Sequence, residues 1–186
     1  MPNPVFNQDI LAIRAAVEQD AQPLADILTC SFHQYSGVRG WFVPVLRLGV
    51  YEDLRHRLRQ SKPHHVCFVA CLRENHCAMP VGTVEVSVRY VRTRAIAPVK
   101  APYISNLAVN PDYRRSGVAR RLLQRCEAQV RHWHYDNIAL HVLENNEAGK
   151  QLYLNNGYHV QEAEQSLGTW LMKRPRRLFL QKNLSL

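Results

Sequence analysis

The stretch NPDYRRSGVARRLL, residues 110–123, decides the fold, because it joins an apolar run to an amphipathic helix through one glycine among arginines. The preceding YISNLAV, residues 103–109, is typical of a strand, and NIALHVL, residues 137–143, predicts a second strand. Between them, apolar residues recur at helical spacing, at Val118, Leu122, Leu123, Cys126 and Val130. A strand, a helix and a strand within about 40 residues form a crossover unit with parallel strands.

The turn of this unit has the features of an anion site. A helix begins with backbone N–H groups that have no intrahelical partner, and such groups bind phosphate. Gly117 removes a side chain where a phosphate would approach the backbone, and Ala119 keeps the next turn small. Four arginines add positive charge: Arg114, Arg115, Arg120 and Arg121. Taken alone, R-x-x-G-x-A is equally typical of a tight turn beside a solvated basic face.

The remaining segments predict a mixed α/β (α+β) fold in one domain over residues 1–186. Strands are predicted at residues 10–16, 64–73, 81–91, 158–164 and 176–184, and helices over 20–32, from about 51 onward and over 147–155. Residues 33–50 are interpreted as a loop entering a short helix, 74–80 as a polar connection, and the basic segment 89–102 mostly as a mobile loop. The resulting sheet is mostly antiparallel, with a central parallel pair and helices on both faces.

Composition sets limits on the class of protein. The chain has 186 residues, 46% of them hydrophobic, and a formal charge of +9 from 24 Lys and Arg against 15 Asp and Glu. That charge favours a phosphate-bearing ligand, nucleic acid or an acidic partner. The segment between residues 1 and 20 lacks a secretory pattern and no stretch has the length of a membrane span, so we expect a cytoplasmic protein without a membrane partner. Five cysteines, an odd number, indicate reduced thiols.

Other binding motifs are excluded or disfavoured. Neither G-x-x-x-x-G-K-[ST] nor G-x-G-x-x-G occurs, so the sequence has no NTP-hydrolysing loop and no dinucleotide fingerprint. Cys67 and Cys71 in the predicted strand would lie about 13 Å apart, too far for a shared metal with thiolate bonds of about 2.3 Å. We expect no metal.

A second motif supports the phosphate interpretation. After the first motif comes VLENNEAGKQLYLNNGYHV, residues 142–160, and the two together resemble the GNAT superfamily of acetyl-CoA-dependent N-acetyltransferases. Arg114, Gly117 and Ala119 match the R/Q-x-x-G-x-G/A motif of that superfamily. Its N-x-x-A-x-x-L-Y-x-x-x-G-F/Y pattern is matched loosely, by Asn146, Leu152, Tyr153, Gly157 and Tyr158, with alanine displaced to position 148. The resemblance implies the GNAT fold, in which the central parallel pair splays apart, and acetyl-CoA as cosubstrate.

The resemblance also implies which residues hold the cosubstrate. The backbone of Leu107, Ala108 and Val109 would pair with the pantetheine arm like an added strand, and Asn146 would hydrogen-bond the pantetheine region. The pyrophosphate would bind the cradle, which we define as Arg114, Arg115, Ser116, Gly117, Val118 and Ala119, through its backbone amides. The Tyr153 hydroxyl would reach the thioester sulfur and protonate the departing thiolate; its alternative is a half-buried core aromatic.

The acceptor is inferred from a narrower resemblance. LHVLENN and YISNLAV are similar to N-terminal acetyltransferases of the NatE type, which implies that Tyr103 and His141 hold a water that acts as base. A looser resemblance links the chain to plastid and cyanobacterial acetyltransferases that modify both protein N-termini and lysines. The loop containing Trp41, Phe42, Val43 and Pro44 would grip the first residues of a peptide. Glu85 is a secondary candidate for the base, although an outward carboxylate is the default for a strand.

These features predict acetyl transfer to protein N-terminal α-amines or lysine ε-amines by a monomer or weak homodimer. Three alternatives stay open: acetylation of a small amine such as a polyamine, an arylalkylamine or an antibiotic; a nucleic-acid-binding module; and a silent acyl-CoA sensor. The arginines cluster at one helix start without interleaved aromatics, and no nucleic-acid-binding pattern occurs, so we expect no nucleic-acid partner.

Overall fold

The computed structural model describes residues 11–36, 43–60, 62–74, 77–91, 98–164 and 175–185. The strands are β1 (Leu11–Ala15), β2 (His65–Glu74), β3 (Cys77–Val91), β4 (Val99–Val109), β5 (Asn137–Leu143), β6 (His159–Glu164) and β7 (Arg177–Asn183). The helices are α1 (Ala21–Ser36), α2 (Val43–Arg59), α3 (Val118–His132) and α4 (Glu147–Leu154). Short 3-10 turns span Glu18–Asp20 and Pro111–Tyr113. Among these residues, no helix is both long and apolar enough to cross a membrane.

The strands form one sheet of seven, in the order β1-β2-β3-β4-β5-β7-β6. The pairs β1/β2, β5/β7 and β6/β7 are antiparallel, whereas β4 and β5 are parallel, with Tyr103 opposite Ala139. The crossover unit and the mixed, mostly antiparallel sheet are therefore confirmed. The splaying of the parallel pair stays a prediction.

The chain is divided into two compact units, and β3, β4 and α3 each contribute residues to both. Unit 1 comprises residues 1–86 and 106–126, and unit 2 comprises residues 87–105 and 127–186. The prediction of a single domain over residues 1–186 stays a prediction.

In unit 1, helices cover both faces of the sheet. The apolar side chains of α1 pack with Leu54 of α2, with Cys67, Val69 and Cys71 of β2 and with Ala108 of β4. The Cys67 Sγ lies 3.5 Å from the Thr83 hydroxyl, so Thr83 faces this cluster. A Cβ on the preceding Gly82 would lie 3.1 Å from a Val118 methyl of α3. Because successive strand residues point to opposite faces, α3 lies on the other side of the sheet.

In unit 2, a small apolar cluster lies around the parallel pair. Val91, Tyr103, Ala139 and Phe179 are buried together, with Ala101 packed against them. Beyond it, β7 pairs with both β5 and β6, and the β6 ladder shifts register between Val160 and Glu162.

Three expectations about local structure are wrong in part. Helix α2 begins at Val43, not near Tyr51. Pro44 does not prevent this, because it lies in the first turn, where a helix tolerates proline. Strands β3 and β4 extend through residues 89–91 and 99–102, which we expected to belong mostly to a loop, because burial of Val91 and packing of Ala101 favour the longer ladder. The polar connection 74–80 is also shorter than expected, since β2 reaches Glu74 and β3 begins at Cys77.

Candidate functional site

The cradle contains two residues with left-handed backbone, in the turn that leads into α3. Arg115 has φ 66° and Gly117 has φ 85°, and the Gly117 carbonyl accepts a hydrogen bond from the Arg121 N–H at 3.1 Å, which starts the helix. A Cβ built on Gly117 would meet no atom of the described chain within 4 Å. The space above Gly117 is thus open to a ligand, and the positive φ explains why glycine fills this position.

The turn before the cradle is fixed to the sheet by its own hydrogen bonds. The Asn110 N–H donates to the Val81 carbonyl at 2.9 Å, and Arg114 Nε donates to the Val109 carbonyl at 3.3 Å. The Ser116 hydroxyl donates to the Tyr113 carbonyl at 2.5 Å. Arg114 therefore supports the end of β4, a role that the sequence did not predict.

The last residues of β4 have a break in their extended backbone. Leu107 is partly buried, and Ala108 and Val109 are buried, but the preceding Asn106 has φ 53°. A left-handed residue departs from the extended backbone of the strand around it. Nothing in the sequence pattern of YISNLAV indicates this feature.

A buried carboxylate lies beside that break. Glu85 of β3 is 5% exposed, and its Oε2 accepts hydrogen bonds from Arg57 at 2.5 Å and from Asn106 Nδ2 at 2.9 Å. Its Oε1 lies 2.6 Å from Nε2 of His65. Burial acts to raise the pKa of the Glu85 carboxyl, but the hydrogen bond from His65 and the charge of Arg57 outweigh burial, so the pKa lies below its usual value. The expectation of an outward Glu85 is wrong.

Tyr103 and His141 lie together on the parallel pair in unit 2. The Tyr103 hydroxyl is 2.8 Å from Nδ1 of His141, so the two groups are hydrogen-bonded directly. The His141 ring also packs against Phe179, with ring centroids 5.1 Å apart, and the Arg89 guanidinium carbon lies 3.5 Å from the centroid of the Tyr103 ring. Tyr103 is 4% exposed. The structure brings the two predicted residues into contact, and Arg89 is a neighbour that the sequence did not indicate.

Tyr153 lies near the end of α4, which begins at Glu147 as predicted and has a cap that the sequence analysis did not predict. At the start, Asn146 Oδ1 accepts a hydrogen bond from the Gly149 N–H at 2.9 Å and caps the helix. At the end, Gly157 has φ 82° and the Tyr158 N–H donates to the Tyr153 carbonyl, which confirms Gly157 as the left-handed stop. The rings of Tyr153 and Tyr158 meet edge to face, with centroids 5.8 Å apart.

The remaining predicted residues concern the peptide grip and metals. Trp41 and Phe42 lie outside the described residues, while Val43 and Pro44 form the first turn of α2 rather than a loop. In the described part of the chain, no three His, Cys, Asp or Glu side chains are grouped as they would be around a metal ion. Burial raises the pKa of the Cys67 thiol to about 11.

Comparison with known proteins identifies the relatives of the chain. The sequence profile described as the acetyltransferase (GNAT) family matches residues 24–158. "GCN5-related N-acetyltransferase 10, chloroplastic" from Arabidopsis thaliana is 34% identical over 153 residues, covering 78% of this chain and 60% of the relative. "GCN5-related N-acetyltransferase 7, chloroplastic" from the same plant is 32% identical over 78 residues, covering 42% and 28%. The chain thus spans less than two thirds of these relatives.

A solved structure shares the fold. The PaiA N-acetyltransferase from Thermoplasma acidophilum, determined in complex with coenzyme A, superimposes with a TM-score of 0.70 at 17% sequence identity. The match covers 93% of this chain and 98% of that one. At this identity the likeness bears on the fold alone.

Proposed function

This chain belongs to the acetyltransferase (GNAT) family, and on that premise we propose that it transfers the acetyl group of acetyl-CoA to a primary amine. The observation that supports this most is the cradle, where Gly117 has positive φ and open space above it at the start of α3. Phosphate groups fit such a helix start because its backbone N–H groups point outward and its dipole favours negative charge.

The proposed cosubstrate site uses backbone more than side chains. Amides of residues 115–119 hold the pyrophosphate, and the backbone of Leu107, Ala108 and Val109 pairs with the pantetheine arm. Asn146 uses its amide nitrogen toward the pantetheine region, since its Oδ1 is committed to capping α4. Arg114 contributes less, because its Nε is bound to the Val109 carbonyl.

Acetyl-CoA supplies the acetyl group as a thioester, whose C–S bond breaks as the C–N bond of the product amide forms. In our proposal the Tyr153 hydroxyl donates its proton to the departing thiolate sulfur. The ring contact with Tyr158 restricts the direction in which that hydroxyl points.

The attacking amine must first lose a proton, and we propose that Tyr103 and His141 accept it. Because the Tyr103 hydroxyl is bonded to Nδ1 of His141, the phenol oxygen can take a proton from a water or the ammonium while its own proton passes to the imidazole. Histidine suits this role because its charge changes near neutral pH. Glu85 is a poor alternative, since its two oxygens already accept from three side chains.

We propose protein N-terminal α-amines as the preferred acceptors and lysines as slower ones. An α-amine has an ordinary pKa of about 8 and a lysine about 10.4, so the neutral fraction of lysine is smaller by a factor of about a hundred. Lysine acetylation therefore depends more on the base. Residues 41–44 remain our candidates for the peptide grip. Action in the cytoplasm, without nucleic-acid or membrane partners and as a monomer or weak homodimer, also belongs to this proposal.

A panel of short peptides tests the acceptor. Peptides with free or blocked N-termini, each with and without an internal lysine, are assayed between about pH 6 and pH 9 with wild type, Tyr103→Phe and His141→Ala. We expect free N-termini to react fastest and His141→Ala to lose proportionally more rate on lysine. Faster reaction of blocked lysine peptides refutes the α-amine preference. A polyamine and an arylalkylamine are assayed beside the peptides, and acetylation of these small amines alone supports the small-molecule alternative. An unchanged rate and pH profile in His141→Ala removes it as the base.

A further inference from the structure

Asn106 has left-handed backbone, which is uncommon for a residue other than glycine. Its φ of 53° lies in the left-handed region, inside β4 and directly before Leu107, Ala108 and Val109. Asparagine tolerates this region better than most residues, but a non-glycine residue held there inside a strand needs support from its surroundings.

The support is a hydrogen bond to a buried charge. Asn106 Nδ2 donates to Glu85 Oε2 at 2.9 Å, and Glu85 is 5% exposed on the neighbouring strand β3. Hydrogen bonds to an ionised acceptor are shorter and stronger than neutral ones, and burial strengthens them further. The side chain of Asn106 is thus attached to a buried side chain of unit 1.

Glu85 is itself held from two other elements. His65 on β2 contacts Oε1 at 2.6 Å, and Arg57 on α2 contacts Oε2 at 2.5 Å. Arg57 also bonds Asp53 one helical turn earlier, which restricts its guanidinium. The carboxylate therefore connects a helix and three adjacent strands of unit 1.

We propose that Glu85 is a positioning residue that holds Asn106 in its left-handed conformation and thereby orients the backbone of residues 107–109 for the cosubstrate. The effect on cosubstrate affinity rests on the proposed function, whereas the hold of Glu85 on Asn106 rests only on the geometry of unit 1. A strand segment that leaves its binding-competent conformation for part of the time binds its ligand more weakly in proportion to that fraction.

Two substitutions at Asn106 separate its conformation from its hydrogen bond. Asn106→Ala and Asn106→Gly both remove the amide, but only alanine disfavours positive φ. We expect Asn106→Ala to raise the acetyl-CoA Kd about tenfold, and Asn106→Gly to raise it by less than about threefold. At saturating acetyl-CoA, kcat should be close to that of wild type in both variants, because no reacting group has changed.

Two substitutions at Glu85 test the hydrogen bond between Glu85 and Asn106. Glu85→Gln keeps a neutral acceptor for Asn106, which is weaker than a carboxylate, so we expect its Kd to lie between those of wild type and Glu85→Met. Glu85→Met keeps the length but removes the acceptor, so it should raise Kd about tenfold with Asn106 present and have little effect in the Asn106→Gly background. Glu127→Met is the matched control, since Glu127 is equally buried at 5% and pairs with Lys182 in unit 2.

An NMR measurement made without cosubstrate tests whether Glu85 holds Asn106, independently of whether the chain binds acetyl-CoA. A strong intraresidue NOE between the amide proton and Hα of residue 106 marks positive φ. It should be present in wild type and Glu127→Met, intermediate in Glu85→Gln and weakest in Glu85→Met. Retention of the full NOE in Glu85→Met, or equal Kd values for Asn106→Ala and Asn106→Gly, overturns the proposal. Absence of acetyl-CoA binding by wild type refutes the proposed function, while the NOE still decides whether Glu85 holds Asn106.

Discussion

Replacing Gly117 by alanine separates backbone strain from loss of phosphate binding, because Gly157 provides a matched comparison. The two glycines have φ values of 85° and 82°. Among the described residues, a Cβ on Gly117 would meet no atom within 4 Å, and a Cβ on Gly157 would meet only ordinary contacts with Lys182, 3.6 Å from its Cε. Neither alanine clashes with this part of the chain. Each should therefore lower the free energy of unfolding by the left-handed strain alone, about 1–2 kcal/mol.

Cosubstrate affinity should distinguish the two variants. The methyl group of Gly117→Ala occupies the space through which a phosphate would reach the backbone amides. Losing one hydrogen bond to a charged group costs about 1.5–3 kcal/mol, so the acetyl-CoA Kd should rise roughly tenfold to a hundredfold. Gly157→Ala should leave Kd unchanged. Urea unfolding measures the first effect and calorimetric titration the second. Equal Kd values for wild type and both variants, or equal losses of affinity in both, would refute the cradle.

Changes at Tyr153, Gly82 and Glu18, and the reactivity of two cysteines, test separate parts of the structure. Tyr153→Phe should lower kcat about a hundredfold with little change in acetyl-CoA affinity, whereas equal losses in both would favour a packing role. Gly82→Ala should lower the free energy of unfolding in urea by about 1–3 kcal/mol. Its Cβ would lie 3.1 Å from a carbonyl oxygen of β4 and from a methyl of α3. An unchanged urea midpoint would contradict this packing. Hydrogen bonds from two arginines of α2 lower the pKa of Glu18 from 4.5 to about 2. The contribution of ionised Glu18 to folding stability is therefore present above pH 4.5 and is lost as the pH falls toward 2. Glu18→Gln should make the free energy of unfolding less dependent on pH in this range. Native alkylation followed by mass spectrometry should modify the exposed Cys30 and spare Cys67, whose thiol is buried with a pKa of about 11, and early labelling of Cys67 would contradict that burial.

The local sequence pattern was sufficient to predict an element where one hydrophobic periodicity or one residue type dominated. The stripe of α3 was predicted because Leu122, Cys126 and Val130 recur at helical spacing and are all fully buried. The stop at Gly157 followed from its residue type, since glycine after a helical run favours the left-handed conformation that it adopts. The parallel pair followed from the strand, helix and strand order alone.

The cluster around Glu85 was not predictable in the same way. Residues 81–86 of β3 are all buried, so alternation does not show which face a side chain occupies. The contacts with His65 and Asn106 depend on the register of three strands, which no local pattern encodes. The start of α2 was missed because the glycine and aromatic residues before it are typical of loops.

A single-turnover reaction with acetyl-CoA and a peptide that has a free N-terminus decides whether the chain transfers acetyl groups to α-amines. Mass spectrometry measures the acetylated peptide, and a thiol reagent measures the free coenzyme A. We predict that both products appear in equal amounts and that the acetyl group lies on the α-amine. Binding of acetyl-CoA without transfer to any amine, in peptides or small molecules, would contradict the account and indicate an acyl-CoA sensor.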